Sequence, residues 1–312
     1  MIAVAILLPG LIRYQRVPTT FDQLRVDQLE AVSPTAVFLG NSILDTRIDP
    51  RHLTQLTGFR ATSLAVDGSA PGIWFLQMKN VVGASTNRPD TVFIFFHDDL
   101  ISRPISFTGP ADEKLVEQLS YQNEERYLEV IKAGRSFRDN IRQVFSTLYP
   151  LIKSSSSARE SVSSIGAFIG GLNKDDAVNE SDRVFAFANK RDQNTVIQQP
   201  KFHGPFESAI DHSFLPLLIA EAKEHSLNLT VVRVSARPDN DGTPNEPYEL
   251  ALYSADLSNY LESNGVRFVD MTGHMGIDAG MYYDGYHIKH RFRTYYTEMF
   301  SEWMLSEWGS NS

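Results

Sequence analysis

The chain has 312 residues, of which 42% are hydrophobic and 21% are charged, an ordinary composition for a globular protein. The formal net charge is −9, and the sequence contains no long basic run, so nucleic acid is not an expected partner. The sequence contains no cysteine, which excludes disulfides, thiolate catalysis and cysteine-ligated metals.

The N-terminal stretch IAVAILLPGLI, residues 2–12, is apolar and uncharged. It is shorter than the roughly 20 residues of a membrane-spanning helix, and no basic residue precedes it as in a signal peptide. Three interpretations stay open: the end of a membrane anchor, an atypical signal segment, or an element packed on the domain. We favour the first, so residues 1–33 are predicted to be an anchor remnant and linker that tethers the protein to a membrane.

Apolar runs and helix-like patterns then alternate along the chain. Strands are predicted over 35–40, 59–66, 90–99, 227–235 and 266–271. Helices are predicted over 49–58, 71–85, 207–226, 247–265 and 290–308. This alternation predicts one α/β domain over 34–312, with a flavodoxin-like sheet of about five parallel strands between two layers of helices.

Residues 101–206 interrupt this alternation. Helical patterns cover 112–134 and 137–148, and residues 154–173 are rich in serine and glycine. We interpret the whole stretch as a helical insertion between the third and fourth strands, placed to serve as a lid over the site.

Gly40-Asn41-Ser42 follows the first predicted strand. Ligands of open parallel sheets bind at the carboxyl ends of the strands, so a tight turn here would expose the Ser42 hydroxyl at such a site. By itself, a serine after Gly-Asn is more often a turn or helix-cap residue.

Asp284-Gly-Tyr-His287 precedes the last predicted helix. A carboxylate three residues before a histidine can orient the imidazole, which would then act as a base toward a serine. The alternative is an ordinary Asp-Gly turn followed by an exposed histidine.

Two further polar stretches follow the second and third strands. Gly68, in VDGSAPG, allows a backbone N–H to approach a ligand closely. His97-Asp98-Asp99 follows a wholly apolar run. An acidic pair beside a histidine at the carboxyl edge of a sheet indicates a functional site, and capping of a following helix is the alternative.

Together these blocks resemble the SGNH (GDSL-type) hydrolase superfamily over roughly residues 34–100 and 207–300. Gly40-Asn41-Ser42 matches its first block with Asn in place of Asp, Gly68 matches the second, and Asp284-x-x-His287 matches the fourth. The third block, Gly-x-Asn-Asp, departs: Phe96 stands in place of Gly and Asp98 in place of Asn.

The resemblance implies that Ser42 is the nucleophile, His287 the general base and Asp284 its orienting partner. It places Ser42, Gly68 and Asp98 at the oxyanion hole, with Asn41, His97 and Asp99 as accessory residues. An ionised Asp98 cannot donate a hydrogen bond, so either it is protonated, another group such as His97 replaces it, or the hole has two donors.

The predicted function is therefore that of a serine esterase or acyltransferase acting on acyl esters, with no cofactor and no metal. By analogy with envelope-anchored members of the superfamily, the expected substrate is an acyl ester of a carbohydrate or of a cell-envelope polymer. The expected location is extracytoplasmic, membrane-anchored or envelope-associated. One alternative is a catalytically weak polymer-binding protein of the same fold, suggested by Asp98. Another is a metal-dependent hydrolase using His97, Asp98 and Asp99.

Overall fold

The computed structural model describes residues 23–103, 110–120, 124, 127, 130, 199–273 and 276–308. Residues 1–22 of the predicted anchor and the insertion patterns over 137–148 and 154–173 lie outside these ranges. Of the predicted helix over 112–134, the structure describes the first part, which belongs to a helix that begins at Pro110 and ends at Leu119.

A five-stranded parallel sheet forms the centre of the domain. Its strands are β1 Ala36–Leu39, β2 Ala61–Ser63, β3 Thr91–Phe96, β4 Asn228–Arg233 and β5 Arg267–Asp270. Their spatial order is β2-β1-β3-β4-β5, the flavodoxin-like order, and every neighbouring pair is parallel. The predicted fold class is confirmed.

The described helices follow the predicted ones in most places. They are α1 Gln23–Val32, α2 Ser42–Asp45, α3 Pro50–Thr57, α4 Pro71–Gln77, α5 Pro110–Leu119, α6 Phe206–Ile210, α7 Leu215–Glu224, α8 Tyr248–Ser263 and α9 Arg293–Trp308. The helix predicted over 207–226 is two helices, α6 and α7. Pro216 lies in the first turn of α7, where its missing N–H and fixed φ are tolerated, whereas a continuous helix would clash with its ring.

The sheet separates two apolar cores, which gives three layers. Alternate strand residues point to opposite faces, so Val37 and Leu39 enter one core and Ala36 and Phe38 the other. The first core is covered by α1, α4, α7 and α8, and the second by α3 and α9. Phe38 stacks on Phe93 across β1 and β3, with 4.7 Å between ring centroids. Both faces are buried, which explains the nearly continuous apolar runs of the strands.

The end of the predicted linker folds onto the domain as α1. Val26 and Leu29 are buried in the first core, and the Glu30 carboxylate accepts a 2.8 Å hydrogen bond from Thr86 N. This helix was not predicted from the sequence. Within the described ranges, no helix has the length and apolar character needed to cross a bilayer.

Candidate active site

The turn after β1 presents Ser42 at the carboxyl end of the sheet. Asn41 caps α2, because its side-chain oxygen accepts a 3.0 Å hydrogen bond from Ile43 N. A Cβ on Gly40 would lie 2.8 Å from Leu44 Cβ and 3.2 Å from the Phe95 carbonyl oxygen, so a side chain at this position would force the turn open. The Asn and Gly of this block therefore shape the turn, and Ser42 is the first residue of the helix.

The structure brings Ser42, His287 and Asp284 together. Ser42 Oγ lies 2.8 Å from His287 Nε2, and His287 Nδ1 lies 2.8 Å from Asp284 Oδ2. Ser42 and His287 are 245 residues apart in sequence, and they meet because the loop after β5 reaches back over the sheet toward β1. This geometry is that of a nucleophile, a base and an orienting carboxylate, although the catalytic roles stay predictions.

The Asp284 carboxylate accepts hydrogen bonds from the backbone of the loop that carries His287. Its Oδ1 accepts hydrogen bonds from Tyr286 N and His287 N, each 2.8 Å long. Burial alone would raise the pKa of Asp284, but the hydrogen bond from His287 and those two backbone bonds outweigh burial and lower the pKa. An ionised Asp284 keeps a proton on His287 Nδ1, so Nε2 presents its lone pair to Ser42.

Two backbone N–H groups are available beside Ser42. Among the described residues, neither the N–H of Ser42 nor that of Gly68 has an acceptor. Gly68 has φ +65°, a left-handed conformation that glycine adopts without steric cost. Ser69 Oγ donates to the Gly40 carbonyl at 3.1 Å and accepts from Trp74 Nε1 at 2.8 Å, so the loop after β2 is fastened to the Ser42 turn.

Asp98 is 4% exposed and accepts hydrogen bonds instead of offering them. Its Oδ2 receives the Tyr286 hydroxyl at 2.7 Å and Lys201 N at 3.0 Å, and His97 Nδ1 lies 3.2 Å away. Burial works to raise its pKa, but His97 and these hydrogen bonds prevail and lower it. A carboxylate with a lowered pKa is ionised near neutral pH and can only accept hydrogen bonds, which argues against the predicted role of Asp98 as an oxyanion donor.

Asp99 serves a different set of partners. It accepts from Arg103 Nε at 2.5 Å and from His203 N at 2.6 Å, and His203 Nδ1 lies 2.9 Å from its Oδ1. Burial raises its pKa, and His203 and Arg103 outweigh that effect and lower it. Burial also lowers the pKa of His97, which is therefore neutral near pH 7. The acidic pair fastens the chain around Lys201 and His203 to the end of β3.

β3 ends at Phe96 instead of continuing to Asp99 as predicted. Asp98 has φ +51°, which is incompatible with an extended strand and turns the chain at the edge of the sheet. The turn directs the two carboxylates to different hydrogen-bond partners, Asp98 to Tyr286 and Asp99 to His203. Arg103 lies beside both, 2.5 Å from Asp99 Oδ1 and 3.9 Å from Asp98 Oδ2.

The sequence did not identify the residues that tie the site together, namely Tyr286, Ser69, Trp74, Arg103 and His203. Tyr286 stands inside the Asp284–His287 block and Ser69 directly follows Gly68, so proximity to a recognised block was the available signal. Arg103 and His203 carried no such signal, because they meet Asp99 from two positions that are 100 residues apart in sequence.

The metal-dependent alternative has no ligand set in the described part of the chain. No group of three or more His, Asp or Glu side chains is arranged there to hold a metal ion. A cavity of about 640 Å³ lies between β5 and α9, and its lining, which includes Arg267 and Trp303, contains none of the predicted site residues.

Comparison with known proteins adds little to this geometry. No protein-family model matches the chain, and no curated protein matches it in sequence. One matching solved structure is a crystal structure from Bacteroides fragilis NCTC 9343 that is described as a "putative acylhydrolase". It is 14% identical, has a TM-score of 0.40, and aligns over 93% of this chain and 96% of its own.

Proposed function

We propose that this protein is a serine-dependent esterase or acyltransferase that acts on acyl esters through Ser42, His287 and Asp284. The observation that carries the proposal is the continuous pair of 2.8 Å contacts from Ser42 Oγ through the His287 ring to Asp284 Oδ2. A serine hydroxyl is a weak nucleophile unless a base lies within hydrogen-bond reach of it, and this arrangement supplies the base and its orienting partner.

In the proposed first half-reaction, Ser42 Oγ attacks the ester carbonyl carbon while its proton passes to His287 Nε2. The tetrahedral intermediate then collapses, the bond to the alcohol oxygen breaks, and the alcohol leaves with the proton from His287. In the second half, water or an acceptor hydroxyl gives its proton to His287 and attacks the acyl carbon of the acyl-enzyme. The second tetrahedral intermediate collapses, the bond between that carbon and Ser42 Oγ breaks, and Ser42 Oγ takes the proton back from His287 as the acyl product leaves. Asp284 stays ionised and stabilises the transient imidazolium.

The oxyanion of each tetrahedral intermediate would be bound by the N–H groups of Ser42 and Gly68. Both lack an acceptor in the described part of the chain, and the Ser42 N–H also belongs to the N-terminus of α2. With Asp98 ionised, the proposed hole has two donors. Losing one donor from such a site typically costs about 10²–10³ in kcat, so we expect a slower enzyme than one with three.

The proposed substrate is an acyl ester of a carbohydrate or of a cell-envelope polymer, and this part rests on the resemblance to envelope-associated SGNH members alone. Water and a sugar hydroxyl would use the same triad. Hydrolysis and transfer are therefore two outcomes of one proposed acyl-enzyme.

A fluorophosphonate probe tests the proposal, because it reacts covalently with a serine hydroxyl that a neighbouring base has activated. We expect the wild-type protein to be labelled on the peptide that contains Ser42 and Ser42→Ala to remain unlabelled. Ser102→Ala is the matched control, since that hydroxyl is buried against the Tyr253 hydroxyl at 2.6 Å instead of an imidazole. A folded wild-type protein that stays unlabelled, or labelling that persists in Ser42→Ala, would refute the proposed function.

A further inference from the structure

We propose that Asp98 is a positioning residue for the base: it acts through Tyr286 to hold the loop that carries His287, instead of binding the oxyanion. This inference rests on the proposed function and assigns a use to the one block that departs from the SGNH pattern. The resemblance assigned Asp98 to the oxyanion hole and assigned no role to Tyr286.

Residues 284–287, which carry the base His287, are called the base loop, and Asp98 contacts this loop directly. Tyr286 precedes His287 in sequence, and its hydroxyl donates to Asp98 Oδ2 at 2.7 Å. At its other end, Tyr286 N donates to Asp284 Oδ1 at 2.8 Å. The residue next to the base is therefore fixed at both ends by a carboxylate, one at the end of β3 and one in the base loop itself.

The surroundings of Tyr286 leave the ring little freedom. The residue is 5% exposed, and its ring packs against that of His97 with 4.3 Å between centroids. The hydroxyl also lies 3.0 Å from the Gln199 carbonyl oxygen. Loss of the Asp98 contact would release the buried end of the side chain and permit the adjacent His287 ring to move relative to Ser42.

Asp98 acts as an acceptor through a single oxygen. The Tyr286 hydroxyl and Lys201 N both donate to Oδ2, and His97 Nδ1 lies 3.2 Å from the same atom. A carboxylate accepts these two hydrogen bonds as charge-assisted ones, whereas an asparagine oxygen would accept them as a neutral group. Asp98 also keeps the strained φ of +51°, which persists only where the surrounding contacts determine the conformation.

The same carboxylate joins the base loop to a second segment. Lys201 N and the Tyr286 hydroxyl both donate to Asp98 Oδ2, and the same hydroxyl lies 3.0 Å from Gln199 O. The main chain over 199–201 and the base loop therefore meet beside one carboxylate. Asp98 therefore links three parts of the described chain: the end of β3, the base loop, and the main chain that leads into α6.

A double-mutant cycle on Asp98→Ala and Tyr286→Phe tests the inference, with the second-order rate of fluorophosphonate labelling as the readout. We expect each single variant to label between about ten- and a hundredfold more slowly than wild type, because small displacements of a catalytic group have effects of this size. The double variant should lose no more than the worse single variant, since both changes break the same contact. Independent structural damage would instead multiply the two losses.

Two further variants separate positioning from fold damage and from an oxyanion role. Asp98→Asn keeps an oxygen that can accept from Tyr286, so it should label faster than Asp98→Ala but no faster than wild type. Tyr253→Phe is the matched control for the loss of a buried hydroxyl, and should label at the wild-type rate. Circular dichroism and thermal melting establish that each variant is folded.

Several results would overturn the inference while leaving the proposed function intact. These are wild-type labelling rates in both single variants, multiplicative losses in the double variant, or labelling of Asp98→Asn more than about tenfold faster than wild type. The last result would mean that an amide donor restores an oxyanion contact. If wild-type Ser42 is not labelled at all, the proposed function fails first, and the two failures are thereby distinguished.

Discussion

Asp284→Asn is the substitution whose effect the structure defines most sharply. Asp284 Oδ1 accepts from two backbone N–H groups at 2.8 Å each, so the amide oxygen of an asparagine must take that place. The amide NH₂ then occupies the position of Oδ2, 2.8 Å from His287 Nδ1, and donates to it. His287 is forced to carry its proton on Nε2, which faces Ser42 Oγ and has no lone pair left to accept the serine proton.

The expected loss of reactivity is large and the expected loss of stability is moderate. A wrong histidine tautomer in a serine triad lowers the rate by about 10⁴, which corresponds to about 5.5 kcal/mol of transition-state stabilisation. The two backbone hydrogen bonds survive the substitution. All three contacts of the carboxylate change from charge-assisted to neutral hydrogen bonds, so the free energy of unfolding should fall by about 1.5–3 kcal/mol.

The assay is the second-order rate of fluorophosphonate labelling, corrected for the Ser42→Ala background, with urea denaturation of the same samples. Asp270→Asn is the matched control. Burial works to raise the pKa of Asp270, but its partners, above all Arg233, outweigh burial and lower it, as in Asp284, and Asp270 lies outside the triad. It should lose stability but label normally. If folded Asp284→Asn labels within tenfold of wild type, the proposed tautomer control by Asp284 is refuted.

Two predictions concern stability. Arg233 is 2% exposed and lies between two carboxylates, so Arg233→Ala should lower the free energy of unfolding by about 3–5 kcal/mol. Arg267→Ala removes only an exposed ion pair and should lower it by at most about 1 kcal/mol. Equal losses of the two variants in urea denaturation would contradict this prediction. The pKa values of Asp98, Asp99 and Asp284 are lowered despite burial, so the stability that they contribute is present above about pH 4 and is lost as pH falls through their folded pKa values. The urea midpoint should therefore decrease between about pH 5 and pH 3, and a constant midpoint would argue against ionised carboxylates in these networks.

The order of strands and helices was predictable because it depends on local patterns. The third strand is apolar at consecutive positions since both faces of the sheet are covered, and α3 begins at the Asp49 cap and ends at Gly58 with φ +76°. Element ends were less predictable. β3 stops at Phe96 because of the conformation of Asp98, which only its contacts explain.

The candidate triad could also be predicted from the sequence, because Ser42, Asp284 and His287 lie in short motifs that suggest a nucleophile, an orienting carboxylate and a base. Their partners were not accessible. Nothing local indicates that the Tyr286 hydroxyl meets Asp98 across 188 residues of sequence. A single side chain of this kind leaves no periodic pattern, and its role depends on which loops meet at the edge of the sheet.

The amino-acid sequence by itself determined the alternating α/β architecture and the chemical types gathered at one edge of the sheet, because hydrophobic periodicity and turn residues act over a few positions. The tertiary structure alone decided which of those groups touch. It placed His287 Nε2 within 2.8 Å of Ser42 Oγ, and it turned Asp98 toward Tyr286 as an ionised acceptor. The physical reason is that hydrogen bonds act over about 3 Å, so their partners are fixed only when distant segments pack together.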